Sequence, residues 1–392
     1  MTRTLPAELA LAAACCRWPP SPADEPRMKA AAAAVRDWDH FDAVVRRNRI
    51  TPLVHSALGR ARIELPAAMA ASLADRAMAA ARRTLGQARE SLRLQRAFDA
   101  AGLPMVIVKG APLAIIAYNE VGLKESWDID LLVAPSDAAE AAGLLVELGY
   151  RGEFSQLDRG RLKGVLRHSK EAEFRHERTG ITAELHWRLT DNRRLLRGID
   201  VHAPTRDVPV AGGTLRTLAD DELFSYLCAH GTVHNWSRLK WLADVGAILG
   251  HRSPGDIARL HEAAEGYGVG RCASVALLLA RWLLDTPVDV RLPARDGVAR
   301  ALADNAIAGL AYRGGTFEMK PYSWPWVRMM AAHFFVARGA AHRLEQLSML
   351  WNSSVDRSQL TLPRGMRFGY HLLRIPLWVW RVGTRAFARK RA

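Results

Sequence analysis

Apolar residues recur at spacings of three and four along Ala7–Cys16, Met28–Ala34, Phe41–Asn48, Pro52–Ala61 and Ala67–Ala100. That period lays one apolar stripe along a helix, so the pattern predicts a helical region, with turns at Pro19–Pro26 and near Pro66. The period changes at Leu103. The run LPMVIVK, Leu103–Lys109, is compact, partly β-branched and bounded by Gly102 and Gly110, which predicts a buried strand. Pro112 fits a first helical turn, so APLAIIAYN is expected to be a helix starting just after Gly110. In WDIDLLVAP, Trp127–Pro135, acidic and apolar positions alternate before a short apolar run, and this predicts a second strand. Ser136 is expected to cap a helix through Leu148 that Gly149 ends. Ala172–His176 and Ile181–Trp187 flank Glu177–Gly180 as a hairpin.

From about Leu218 the helical period returns, over Asp220–Ala229, Arg238–Leu249, Asp256–Ala264 and Ala273–Leu283. No fixed-period repeat is visible, which argues against a solenoid. The expected fold class is therefore α+β, a small mixed sheet flanked by N-terminal and C-terminal helical regions. The expected boundaries are 1–100, 101–215 and 216–392.

Composition adds little to that picture. Hydrophobic residues make up 49% and charged residues 24%, the balance of a globular chain. The formal net charge of +15 attracts phosphate-bearing ligands at long range, yet the joint Arg and Ala bias also fits a GC-rich coding sequence with no such partner. Four cysteines, Cys15, Cys16, Cys228 and Cys272, show neither disulfide nor zinc spacing and read as small buried apolar residues. The first apolar stretch is short and broken by Glu8, unlike a signal peptide, and no run reaches membrane-spanning length, so a cytoplasmic protein is expected. No acidic residue follows Asp356, and Trp378, Trp380, Arg381 and Arg385 could face nucleic acid or an anionic membrane surface. An amphipathic helix docked on the core with its arginines in solvent is the preferred reading of that tail.

Chemistry concentrates in the middle of the chain. Asp128 and Asp130 stand two apart on a strand, so both carboxylates leave the same face. Crowded carboxylates repel, and a divalent cation is a common reason to keep them together. By the same logic, neutralising one is expected to raise the melting temperature of the metal-free protein. Glu184, with His186 on the same face, lies on another strand and can complete an oxygen-rich site suited to Mg²⁺ rather than zinc. Lys109-Gly110 before a helix N-terminus forms a corner where backbone N–H groups and the helix dipole face an anion. Further on, His230 and His234 have i, i+4 spacing, but without an obvious Cys or acidic partner a packed helix is preferred to a zinc site. Asp244 is expected to cap a helix or pair with a basic neighbour.

The ordered set LPMVIVKGAPLAIIAYNEVGLKESWDIDLLV, a helix ending in LGY, ELHWRL and then HGTVHNWSRLKWLADVGAIL resembles a known family. It is similar to nucleotidyltransferase-like proteins of the DNA polymerase β superfamily, and more narrowly to a bacterial group of uncharacterised nucleotidyltransferases. The resemblance implies transfer of a nucleoside monophosphate from an NTP, with two Mg²⁺ ions (Mn²⁺ as a substitute) held by Asp128, Asp130 and Glu184. It further implies nucleotide contacts from Lys109, Gly110 and Lys124, with His186 either touching a phosphate or the acceptor or serving as a packed structural histidine. The acceptor can be a small molecule, a peptide or protein, or RNA. Three positions depart from the pattern: Ala111 replaces a serine or glycine, Lys124 an arginine and Trp127 a small residue. Trp127 is expected in the core, with stacking on a base as the alternative. The departures keep two further possibilities open. One is a degenerate member that binds nucleotide or a protein partner without turnover; the other is a basic nucleic-acid-binding protein.

Overall fold

The computed structural model describes residues 5–152, 169–289, 291, 293–313 and 323–351. The four arginine and tryptophan positions of the basic tail, Trp378, Trp380, Arg381 and Arg385, lie outside the described residues.

Five helices open the chain: α1 (Ala7–Cys15), α2 (Asp24–Ala34), α3 (Trp38–Asn48), α4 (Thr51–Arg60) and α5 (Ala67–Ala100). The Asp37 carboxylate accepts from the His40 backbone N–H at 2.8 Å and so caps α3. At 1.5 Å per residue α5 is about 51 Å long, enough to run beneath the whole sheet.

That sheet has five strands, β1 (Val106–Ile107), β2 (Asp128–Leu132), β3 (Tyr150–Gly152), β4 (Glu171–His176) and β5 (Thr182–His186), in the order β1-β2-β5-β4-β3. β2 and β5 are parallel and the other pairs antiparallel, so the sheet is mixed. Between the strands lie α6 (Ala111–Tyr118) and α7 (Ala138–Glu147). The period of two sorts the strands into two faces. Ile129, Leu131, Ala172, Phe174, Ala183 and Leu185 pack on Leu94 and Phe98 of α5 and on Ala138, Ala141 and Leu145 of α7. Each large side chain buried there contributes roughly 1.5–3 kcal/mol. The alternate positions carry Asp128, Asp130, Glu184, His186, Glu171 and Glu173 to the opposite face.

A hairpin of β6 (Thr205–Val210) and β7 (Gly213–Leu218) follows. Then come α8 (Asp220–Val233), α9 (Leu239–Gly250), α10 (Pro254–Gly266), α11 (Gly270–Leu284), α12 (Gly297–Ala311), α13 (Trp324–Ala332) and α14 (Ala340–Trp351). The helices before and after the sheet share one hydrophobic core, in which Leu11 and Phe41 meet Leu242, Val275 and Leu279. Asn48 at the end of α3 accepts from the Leu239 N–H at the start of α9, at 2.8 Å in the interior. Gly250, which ends α9, lies so close to the N-terminal segment that a Cβ would sit 2.3 Å from the Trp18 carbonyl oxygen. No helix among the described residues is long and apolar enough to cross a membrane.

Local details differ from the expectation. The first strand is two residues long, Val106 and Ile107 pairing with Leu132 and Leu131, and the Val108 N–H beyond it donates to the Asp130 carbonyl at 3.0 Å. Ser136 does not cap α7; its hydroxyl donates to Asp137 at 2.7 Å and the helix begins two residues later. The β6–β7 hairpin went unanticipated; its Pro209 is tolerated opposite Thr214 on a two-stranded ribbon.

Candidate active site

Asp130 lies opposite Glu184 and Asp128 opposite Thr182 in the parallel β2–β5 pair, while Glu171 and Glu173 of β4 lie opposite His186 and Glu184. Four of these groups converge. The Lys109 ammonium is 2.9 Å from Asp130 Oδ1, and His186 Nε2 is 3.1 Å from the same oxygen. His186 Nε2 is also 3.5 Å from Glu184 Oε2, and its Nδ1 is 3.0 Å from Glu171 Oε2. Lys170 ion-pairs with Glu171. Asp130 Oδ2 is buried and has no hydrogen-bond partner.

The charges depend on one another. Burial pushes the Asp130 carboxyl up, but the Lys109 charge and the His186 hydrogen bond overcome it and hold the group far below the usual carboxylate range. Burial opposes the charged form of His186 as well, yet Asp130 and Glu184 lift its pKa to about 9, so it is an imidazolium at neutral pH. Glu184 is raised, chiefly by burial and then by Asp130 and Asp128, which outweigh the lowering from His186. Burial likewise opposes the Lys109 charge, but Asp130 more than compensates and its pKa stands well above the ordinary lysine value.

Ligand atoms of Asp130, Glu184 and His186 lie within 4.8 Å of one another, and among the described residues this is the group able to hold a metal ion. Asp128 leaves the same face one pleat earlier and is not part of that group. The donors fit a divalent cation: two carboxylates of one cluster, one of them offering a bare, buried oxygen.

The helical side supplies a wall. His230 and His234 have ring centroids 4.6 Å apart, each 5.2 Å from Trp241, and Tyr226 is 5.6 Å from His230. Burial, reinforced by the charge of Lys109, holds the His230 imidazole well below its ordinary pKa and so neutral. These rings form an aromatic packing cluster beside the acidic floor, consistent with the expected packed helix.

Two expected residues stand elsewhere. Lys124 is buried, and its ammonium pairs with Asp244, whose other oxygen accepts from the Tyr118 hydroxyl at 3.0 Å. Asp244 thus has its basic neighbour, while the Lys124 charge faces the interior instead of open solvent. Trp127, expected in the core, is 46% exposed, because the strand begins only at Asp128. Its ring lies 4.9 Å from the Arg49 guanidinium and 4.2 Å from that of Arg83. Gly110 occupies φ +81, and a Cβ there would be 3.7 Å from Ser126 Oγ, so a hydroxyl borders the corner that Ala111 leaves without one. Sequence reasoning missed Glu171, although EAEFRH alternates as WDID does and hairpin register carries Glu171 to His186.

The profile of a family described as uncharacterised nucleotidyltransferase matches residues 34–285, from the end of α2 to the residue after α11. The matched stretch holds the sheet, Asp130, Glu184, His186 and the His/Trp wall. No curated protein and no solved structure matches the chain.

Proposed function

The chain belongs to the uncharacterised nucleotidyltransferase family, and on that footing we propose Mg²⁺-dependent transfer of a nucleoside monophosphate from an NTP to an acceptor hydroxyl or phosphate. The acceptor oxygen bonds to the α-phosphorus, the α–β phosphoanhydride bond breaks, and pyrophosphate leaves. The observation that carries the reading is the bare, buried Oδ2 of Asp130 directly across the parallel pair from Glu184.

Asp128, Asp130 and Glu184 would hold two Mg²⁺ ions, with Mn²⁺ as a substitute. When bound, such ions activate an acceptor oxygen and neutralise charge on the leaving pyrophosphate. The chain's own groups prepare the site. Lys109 and His186 keep Asp130 ionised inside the protein and hold it through Oδ1, which leaves the buried Oδ2 without a partner. The β2–β5 register holds Asp130 and Glu184 side by side on rigid strands, so their spacing does not depend on a loop. Gly110 and the first turn of α6 present backbone N–H groups suited to a phosphate. His186, bridging Asp130, Glu184 and Glu171, acts as a positioning residue.

One observation favours a second reading, a nucleotide- or partner-binding member without turnover. The Lys109 ammonium already neutralises Asp130, as a cation otherwise would. Thermal shift with each NTP, with and without Mg²⁺ or Mn²⁺, on wild type and Asp130→Asn separates the two. Metal-dependent stabilisation in wild type and none in the variant is expected. Equal, metal-independent stabilisation of both proteins would replace the transferase reading with the binding one.

A further inference from the structure

Three distant parts of the chain bring cations to the neighbourhood of Asp128. Arg49 follows α3, Arg83 projects from α5, and Arg238 and Lys240 begin α9. Trp127, next to Asp128, carries the Arg49 and Arg83 guanidinium groups over its ring at 4.9 and 4.2 Å. Arg83 also donates from Nε to the Ser126 carbonyl at 3.1 Å and lies 3.6 Å from Glu125.

The backbone is strained where these cations are delivered. Arg49 occupies the left-handed region at φ 53 and ψ 49, the position after a helix where glycine is usual. Asn235 and Trp236, at φ 50 and 48, form the turn that leads into Arg238 and Lys240. Trp236 is held in that conformation by burial against Gly231, where a Cβ would come within 2.5 Å of its ring.

The cations also crowd one another. Burial and then the charges of Lys124, Lys109 and Arg49 pull Lys240 down to about 7, and burial with Arg49 pulls Arg238 down to about 10. A polyanion relieves that crowding, and guanidinium forks match phosphate oxygens in pairs.

We propose that Arg49, Arg83, Arg238 and Lys240 form a polyphosphate subsite beside Asp128 on the acidic face of the sheet, which takes the β- and γ-phosphates of the NTP. The subsite rests on the transferase reading for its nucleotide, though not for its anion chemistry. Lys124, sealed against Asp244, has no part in it. Trp127 serves as the platform that spaces two guanidinium groups.

The test is calorimetric titration of the full chain with inorganic tripolyphosphate in EDTA, so that no metal takes part. Wild type is expected to bind with an affinity that falls as salt rises. Arg83→Gln/Lys240→Gln should weaken binding at least tenfold. Arg49→Gly should weaken it about fivefold without lowering the melting temperature, since glycine relaxes the left-handed backbone, and it therefore reports on charge without loss of fold. Both cation variants binding within twofold of wild type, or no binding by wild type, would overturn the subsite even if NTP and Mg²⁺ stabilise the protein. Tripolyphosphate binding lost in the variants, with no NTP effect in any metal, leaves the subsite standing and removes the transferase. Tight binding of a single-stranded oligonucleotide without tripolyphosphate binding would overturn the proposal in favour of a nucleic-acid surface.

Discussion

Two buried lysine–aspartate pairs lie on either side of α6, and they do different things. In the pair between Lys124 and Asp244 every oxygen is occupied, one by the ammonium and one by the Tyr118 hydroxyl. Its surroundings are helices of the shared core, with Cys16 among the neighbours. In the pair between Lys109 and Asp130 one oxygen takes two cationic donors while the other has none, and Glu184 and Glu171 stand within reach of the same histidine. The first pair is fully satisfied and joins helices; the second leaves one buried carboxylate oxygen without a partner. A buried charge pair therefore reveals its purpose by what remains unsatisfied around it rather than by its burial.

The comparison breaks most visibly at the Lys124–Asp244 pair. Lys124→Met should cost about 3–5 kcal/mol, read from urea unfolding, because Asp244 is left as an uncompensated interior charge. Lys124→Met/Asp244→Leu should recover most of that loss, and no recovery would mean that the pair is not a structural tie.

At the Lys109–Asp130 pair, Asp130→Asn should remove all metal-dependent stabilisation by NTP and cost the metal-free protein about 2–3 kcal/mol. The sign reverses what crowded carboxylates alone suggest. The carboxylate is held ionised by Lys109 and His186, so its neutralisation strands their charges. An unchanged or higher melting temperature in EDTA would show that repulsion wins after all.

His186 sharpens the contrast through pH. Its folded pKa of about 9 lies above the ordinary value of 6.5, so its contribution is fully present below about pH 6.5 and is lost as pH rises through about 9. In EDTA, wild type should lose on the order of 2–3 kcal/mol across that window, and His186→Gln should lose much less. Parallel slopes for the two proteins would place the titration elsewhere. The smallest effect belongs to the Lys124–Asp244 pair again: Tyr118→Phe should cost about 1 kcal/mol, measured by urea unfolding, with NTP binding unchanged.

Much of the acidic floor was legible because it is local. Alternation in WDID and in TAELH assigns Asp128, Asp130, Glu184 and His186 to one face without knowledge of the fold. Glu171 needed one more step, the register of the hairpin, and was lost when the strand was started a residue late. Lys124 and Trp127 were misplaced for a different reason. Whether a side chain at a strand's approach turns inward or outward is decided by elements far away, here α9 for Lys124 and α5 for Trp127. The rim cations were hidden by composition, since in an arginine-rich chain Arg49 and Arg83 look like any solvated helix residue. Gly110 and Gly149 were readable as special positions because their φ values of +81 and +94 are ones that few other residues accept.

The core shared by the first and last helices also bears on how the molecule is made. Arg27 reaches Asp285 at 2.6 Å across 258 residues of chain, and Trp18 rests on Gly250. At 5–20 residues per second, roughly 13–50 s of translation separate the two halves of that interface. During that time the leading helices must hold their apolar stripes without their partners, a period in which chaperones or neighbouring chains compete for the same surfaces. Expression of residues 1–250 alone is expected to give aggregated protein, whereas co-expression with the remaining segment gives soluble complex. The nascent chain is thus under the greatest hazard when its acidic floor is already complete and its far helices are still inside the ribosome.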